Sequence, residues 1–114
     1  MSTATGFRRI ALALKDAIEG AHMGHPDFRV NGRIFASLHA GNAHCMVKLT
    51  PQQQQRFVDD APQTFAPENG AWGRAGCTRV TLKSADEDTL GEALTLAWQN
   101  TASQPPPRAK RRVR

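Results

Sequence analysis

The chain has 114 residues, 39% hydrophobic and 22% charged, which supplies one modest hydrophobic core and not two. No apolar run approaches bilayer length. Two cysteines, Cys45 and Cys77, make no disulfide framework, so a reducing cytoplasm is the expected setting.

The formal charge of +5 is unevenly spread. The last ten residues, "PPPRAKRRVR", carry five cations, Arg108, Lys110, Arg111, Arg112 and Arg114, and no acid. Residues 1–104 keep ten basic and ten acidic side chains and are neutral. We therefore expect one domain over 1–104 and a basic tail over 105–114. Three prolines stiffen the start of that tail, and with almost nothing apolar to bury the rest is expected to be disordered. Such a tail is either a solubilising end or an arm attracted to polyanions.

At the N-terminus, Phe7, Ile10, Ala11, Leu14 and Ile18 recur at helical spacing and predict an amphipathic helix over about 5–19, stopped by Gly20. Arg8-Arg9 before "IALAL" has the outline of an export signal. The apolar stretch is too short for one, and Lys15 and Asp16 close it without a cleavage site.

"DFRV" and "RIFASL" flank Asn31-Gly32, a strong signal for a hairpin with a type I′ turn. A turn at Gly41-Asn42 leads into a third strand, "HCMVKL". Thr50, Pro51 and Gln53 read as N-cap, first helical residue and capping-box partner of a second helix, which ends before Pro62. "GAWGRAG" is a glycine-rich connection into the strand "CTRVTL". Ser84 and Glu87 look like a capping box for a last helix with Leu90, Leu94, Ala97 and Trp98 on one stripe. The expected order is α-β-β-β-α-β-β-α, an α+β domain with helices on one side of an antiparallel sheet.

Metal and catalytic signals are thin. His22 and His25, read as residues of one extended strand, point to opposite faces and cannot share an ion. His39 and His44 flank a turn and could approach each other, but nothing has the spacing of a zinc module. No nucleophile elbow or phosphate loop is present, and Gly70, Gly73 and Gly76 lead into a strand where a dinucleotide fingerprint requires a helix. We expect no enzyme, no metal and no cofactor.

Charge placement says more. The predicted helices sum to −4 and the strands with their turns to +4, which makes the domain dipolar. Arg29 lies between Phe28 and Val30, Lys48 between Val47 and Leu49, and Arg79 before Val80. If the apolar members face the helices, the cations share the open face. The residues available to an anionic partner are then Arg29, Arg33, Lys48, Arg74, Arg79 and Lys83, with Arg108, Lys110, Arg111 and Arg112 of the tail. Trp72 either anchors its turn or stacks on a base.

The stretches "GHPDFRVNGRIFASL", "VKLTPQQQ", "GAWGRAGCTRVTL" and "LTLAWQ" together resemble the MmcQ/YjbR-like proteins over Phe7 to about Ala102. That resemblance implies an α+β fold shared with secretion chaperones and described as a double-wing DNA-binding motif. It implies DNA, read with low specificity, as partner, one wing at Asn31-Gly32 and the other around Gly73 to Gly76. His22 and His25 would shape the entry to the first wing, and Pro26 would set the start of its strand. Cys77 stands where family members often have tryptophan, which implies a looser second wing or weaker partner contact. Two other readings stay open. One is a chaperone-like module, a homodimer whose sheet receives an acidic peptide or protein partner. The other is a metal-dependent enzyme using His39, His44 or Cys45. No membrane association is expected.

Overall fold

The computed structural model describes residues 2–22, 24–39, 41 and 43–105. The expected tail cations Arg108, Lys110, Arg111 and Arg112 lie outside the described residues.

Helix α1 (Ala4–Ala13) starts at Thr3, whose hydroxyl accepts from the Gly6 amide. It buries Phe7 and Ala11, two of the five residues of the predicted stripe. The helix is shorter than its periodicity implies. Leu14 is already extended and Asp16 takes a left-handed φ of 60°, so the chain reverses into strand β1 (Ile18–His22). Ile18, expected inside, is 61% exposed on this edge strand. The expected helix over 5–19 is therefore a helix followed by a strand: the apolar periodicity ran on through residues that pair with a neighbour.

Strand β1 pairs with β2 (His25–Val30), and β2 with β3 (Arg33–Leu38) through Asn31-Gly32. Both turn residues have positive φ, 56° and 74°, as a type I′ turn requires. The β2–β3 register shifts between Phe28 and Arg29, so that Phe35 and Ala36 are both buried. Strand β4 (His44–Lys48) follows, then α2 (Pro51–Asp60), whose capping box of Thr50 and Gln53 is formed in both directions.

Strand β5 (Phe65–Pro67), a short α3 (Gly70–Arg74) and β6 (Cys77–Thr81) come next. The last helix α4 (Glu87–Ala102) is capped by Asp86, which accepts from the Thr89 amide, and not by Ser84. The Ser84 hydroxyl instead lies 2.9 Å from that of Thr64, on a 3-10 turn. All pairings are antiparallel, in the order β1-β2-β3-β4-β6-β5. The sheet thus has six strands, one more than expected, and the glycine-rich connection contains a helix.

One face of the sheet carries the core. Phe28, Leu38, Cys45, Val47 and Val80 from the strands meet Phe7 and Ala11 of α1 and Leu90, Ala93, Leu94 and Ala97 of α4, all buried. Phe7 and Phe28 stack edge to face at 5.3 Å, and Phe57 of α2 lies 4.9 Å from Phe65. Trp98 is half-buried at the margin rather than inside, and its indole N–H donates to the Lys15 carbonyl at 2.9 Å.

Candidate nucleic-acid interface

The alternation expected of the strands holds. Phe28, Val47 and Val80 are fully buried toward the helices, while Arg29, Lys48 and Arg79 are half-buried on the opposite face. Register defines that face. Asp27, Ser37, Met46, Arg79 and Ala66 form one row of partners across β2, β3, β4, β6 and β5, and Lys48 pairs with Cys77.

The face is concave. Strands β3 and β5 stand three places apart, about 14 Å at ordinary strand spacing. Even so, Glu68, just after β5, brings its Oε2 within 3.0 Å of Nε2 of His39, just after β3. A groove of about 760 Å³ runs along this face past Ile34, Met46, Lys48, Glu68 and Trp72.

The open face is less basic than the sequence arithmetic implies. Asp27 lies on it, buried, with Oδ1 2.8 Å from Arg29 Nε and Oδ2 3.1 Å from Nη2. That carboxylate holds the guanidinium above its ordinary pKa through hydrogen bonding and charge. Arg29 is therefore committed to Asp27 and is a poor candidate for a partner contact. Glu68, a second acid, also lines this face. The helical side balances its own acids: Arg8 meets Glu19, Arg9 meets Glu87 and Arg56 meets Glu92.

The remaining cations are dispersed. Lys48 and Arg33 line a second groove of about 340 Å³ together with Trp72, Asn100 and Gln104. Here the tip of the β2–β3 hairpin is fastened to the end of α4. Asn31 Nδ2 donates to the carbonyls of Ala102 (2.9 Å) and Gln104 (3.3 Å), and Arg33 Nε donates to that of Pro105 (2.9 Å). The described chain thus ends at Pro105, beside Arg33. Arg79 lies apart, in a smaller pocket with His39 and His44. Lys83 is exposed on the 3-10 turn beyond β6, and Arg74 is exposed on α3.

The segment expected to form a second wing is held as a helix with a tight return. Gly76 has φ +116°, and a Cβ there would overlap the Leu49 carbonyl; one on Gly73 would overlap that of Glu68. Gln54, missed by sequence reasoning, explains the rest. Buried on α2, its Nε2 lies 3.0 Å from the carbonyls of Gly73 and Cys77 and 3.2 Å from the Thr78 hydroxyl. This clamp leaves Trp72 70% exposed, so Trp72 does not anchor its turn by burial. A polar residue on the apolar face of α2 was the available signal.

His22 and His25 need correction. They are Cα partners across the β1–β2 turn, not members of one strand, so the parity argument that separated them does not apply. Among the described residues no group of three or more histidine, cysteine, aspartate or glutamate side chains is placed to hold a metal. Cys45 and Cys77 are both free and buried, and burial raises the pKa of each thiol. No helix among the described residues is long and apolar enough to cross a membrane.

The YjbR family model matches residues 12–100. The chain belongs to the YjbR family. A comparison with curated proteins finds no match. Among solved structures, the YjbR-family fold seen here is similar to the crystal structure of Deinococcus radiodurans protein DR2400, a DUF419-domain protein. The two share 20% identity and a TM-score of 0.78, over 91% of this chain and 81% of that one. At that identity the likeness establishes the fold.

Proposed function

We propose that this YjbR-family protein binds DNA with low sequence specificity, through the groove between the β2–β3 hairpin tip and α3 and through its basic tail. One observation carries the reading: the exposed Trp72 shares a groove with Arg33 and Lys48, and Pro105, which precedes five cations in the sequence, is held at Arg33. An exposed aromatic flanked by cations is the arrangement that stacks on a base while holding its backbone. The tail adds attraction to phosphates without reading base edges. Arg74, on the same short helix as Trp72, extends the cationic margin.

The test is a salt series on single-stranded and duplex DNA with the full chain, a Trp72→Ala variant, and a variant with the five tail cations replaced by glutamine. Neutralising the tail flattens the slope of log K against log[salt] on duplex by at most about 4.5, at about 0.9 per phosphate contact. Trp72→Ala weakens single-strand binding by about 1–3 kcal/mol with the unfolding midpoint unchanged. If the full chain binds neither form at low salt, the reading fails.

A chaperone-like role has one supporting observation, the apolar share that Ile34, Met46 and Trp72 contribute to the larger groove. Binding of an acidic peptide without binding of DNA would favour it.

A further inference from the structure

We infer that the pocket behind Arg79 is a binding site for a phosphomonoester group, separate from the groove at Trp72. Four side chains converge there from three adjacent strands. His44 on β4 is the register partner of Thr81 on β6. The His39 amide donates to the His44 carbonyl at 3.0 Å, and the two imidazole centroids stand 6.3 Å apart. Arg79, two residues before Thr81, is on the same face. All four line a cavity of about 260 Å³ closed on its far side by Pro62 to Ala66.

The chemistry of the lining selects an anion. Among the described residues Arg79 makes no ion pair, although it is half-buried. Among the described residues every other arginine except the exposed Arg74 has an acidic or carbonyl partner. A guanidinium that lines a pocket without a counter-charge keeps its fork free for a bound anion. Among the described residues no aspartate or glutamate lines the cavity. Glu68 meets His39 from the side of the larger groove and cancels that imidazole's charge when it is protonated. The attraction therefore rests on Arg79 and His44.

Size and geometry narrow the class. The cavity is below the range of about 300–1,000 Å³ that accommodates drug-sized ligands, and it fits a single tetrahedral group at the end of a molecule. The guanidinium fork binds two phosphate oxygens side by side. The His44 ring and the Thr81 hydroxyl are left to donate to the others. A phosphomonoester presents three such oxygens and two charges, where a phosphodiester inside a nucleic-acid strand presents two oxygens and one charge.

The group could belong to a small phosphorylated molecule or to the 5′ end of a nucleic acid. The experiment titrates the full chain with inorganic phosphate and follows the Arg79 side-chain N–H and the histidine ring signals by NMR. The expected result is saturable shifts at Arg79 and His44. Arg79→Lys weakens binding by roughly tenfold or more because it loses the fork. His44→Gln weakens it less, and His25→Gln, outside the pocket, leaves it unchanged. A second arm compares one oligonucleotide with a 5′-phosphate and with a 5′-hydroxyl. Tighter binding of the phosphorylated form, abolished by Arg79→Lys, identifies a nucleic-acid end as the source. Equal binding of the two, with the phosphate response intact, identifies a small molecule. Absence of saturation at millimolar phosphate overturns the proposal, as does a response that survives both Arg79→Lys and His44→Gln.

Discussion

Asp27 and Arg29, two residues apart on β2, form a two-pronged ion pair on the open face of the sheet, and the carboxylate is buried while the guanidinium is 35% exposed. Adjacent same-face positions on one strand hold the pair in register, and Gly20 on β1 leaves room for it, since a Cβ there would come within 3.0 Å of Asp27 Oδ1. Arg29→Ala strands a buried carboxylate. Its unfolding midpoint should fall several-fold more than that of Arg9→Ala, whose exposed pair with Glu87 is worth at most about 1 kcal/mol. Binding of DNA by the folded Arg29→Ala protein should be unchanged. Denaturation and binding measured on the same sample check both parts.

Gln54→Leu tests the clamp under α3. The substitution keeps the volume and removes three hydrogen bonds, but the Gly73 and Cys77 carbonyls each retain a backbone partner, Gly76 and Glu68. The expected loss is about 1–2 kcal/mol, concentrated locally. Hydrogen exchange should speed up for the amides of Ala75 and Gly76 before it does so for β4.

Trp98→Phe should cost at least the about 0.5–1.5 kcal/mol of one ordinary hydrogen bond, because the bond to Lys15 is lost together with part of the indole packing. Trp98→Ala should fall short of the about 3–5 kcal/mol of a fully buried tryptophan. Urea denaturation of both variants checks the order.

The thiols give a prediction with a definite sign. Burial raises the pKa of Cys45 and Cys77, with the Lys48 charge partly opposing it at Cys77. A raised thiol pKa keeps the neutral form at pH 8, and each unit cuts the reactive thiolate about tenfold. A thiol reagent should therefore label native protein far more slowly than urea-unfolded protein, and Cys77 before Cys45. Rapid labelling of Cys45 without unfolding would contradict its burial.

Local chemistry made much of the fold legible. Asn31-Gly32 dictates its turn because two successive left-handed residues are tolerable there, and Thr50, Pro51 and Gln53 fix the start of α2 by satisfying its free amides. Strand parity placed Arg29, Lys48 and Arg79 on one face. The same rules failed where pairing competed with periodicity. Ile18 continues the stripe of α1 but lies on β1, and Ser84 stands two residues too early to cap α4, where Asp86 is the acceptor.

The sequence by itself determined the α+β class, the hairpin, the sidedness of the strands and the location of the excess charge, since each depends on neighbours within a few residues. Tertiary structure alone decided which cations are free. Asp27 captures Arg29, the carbonyl of Pro105 holds Arg33 at the root of the tail, and curvature of the sheet brings Glu68 to His39 from three strands away. Charge neutralisation acts over a few ångströms in space, and spacing along the chain does not reveal which residues the sheet will bring that close.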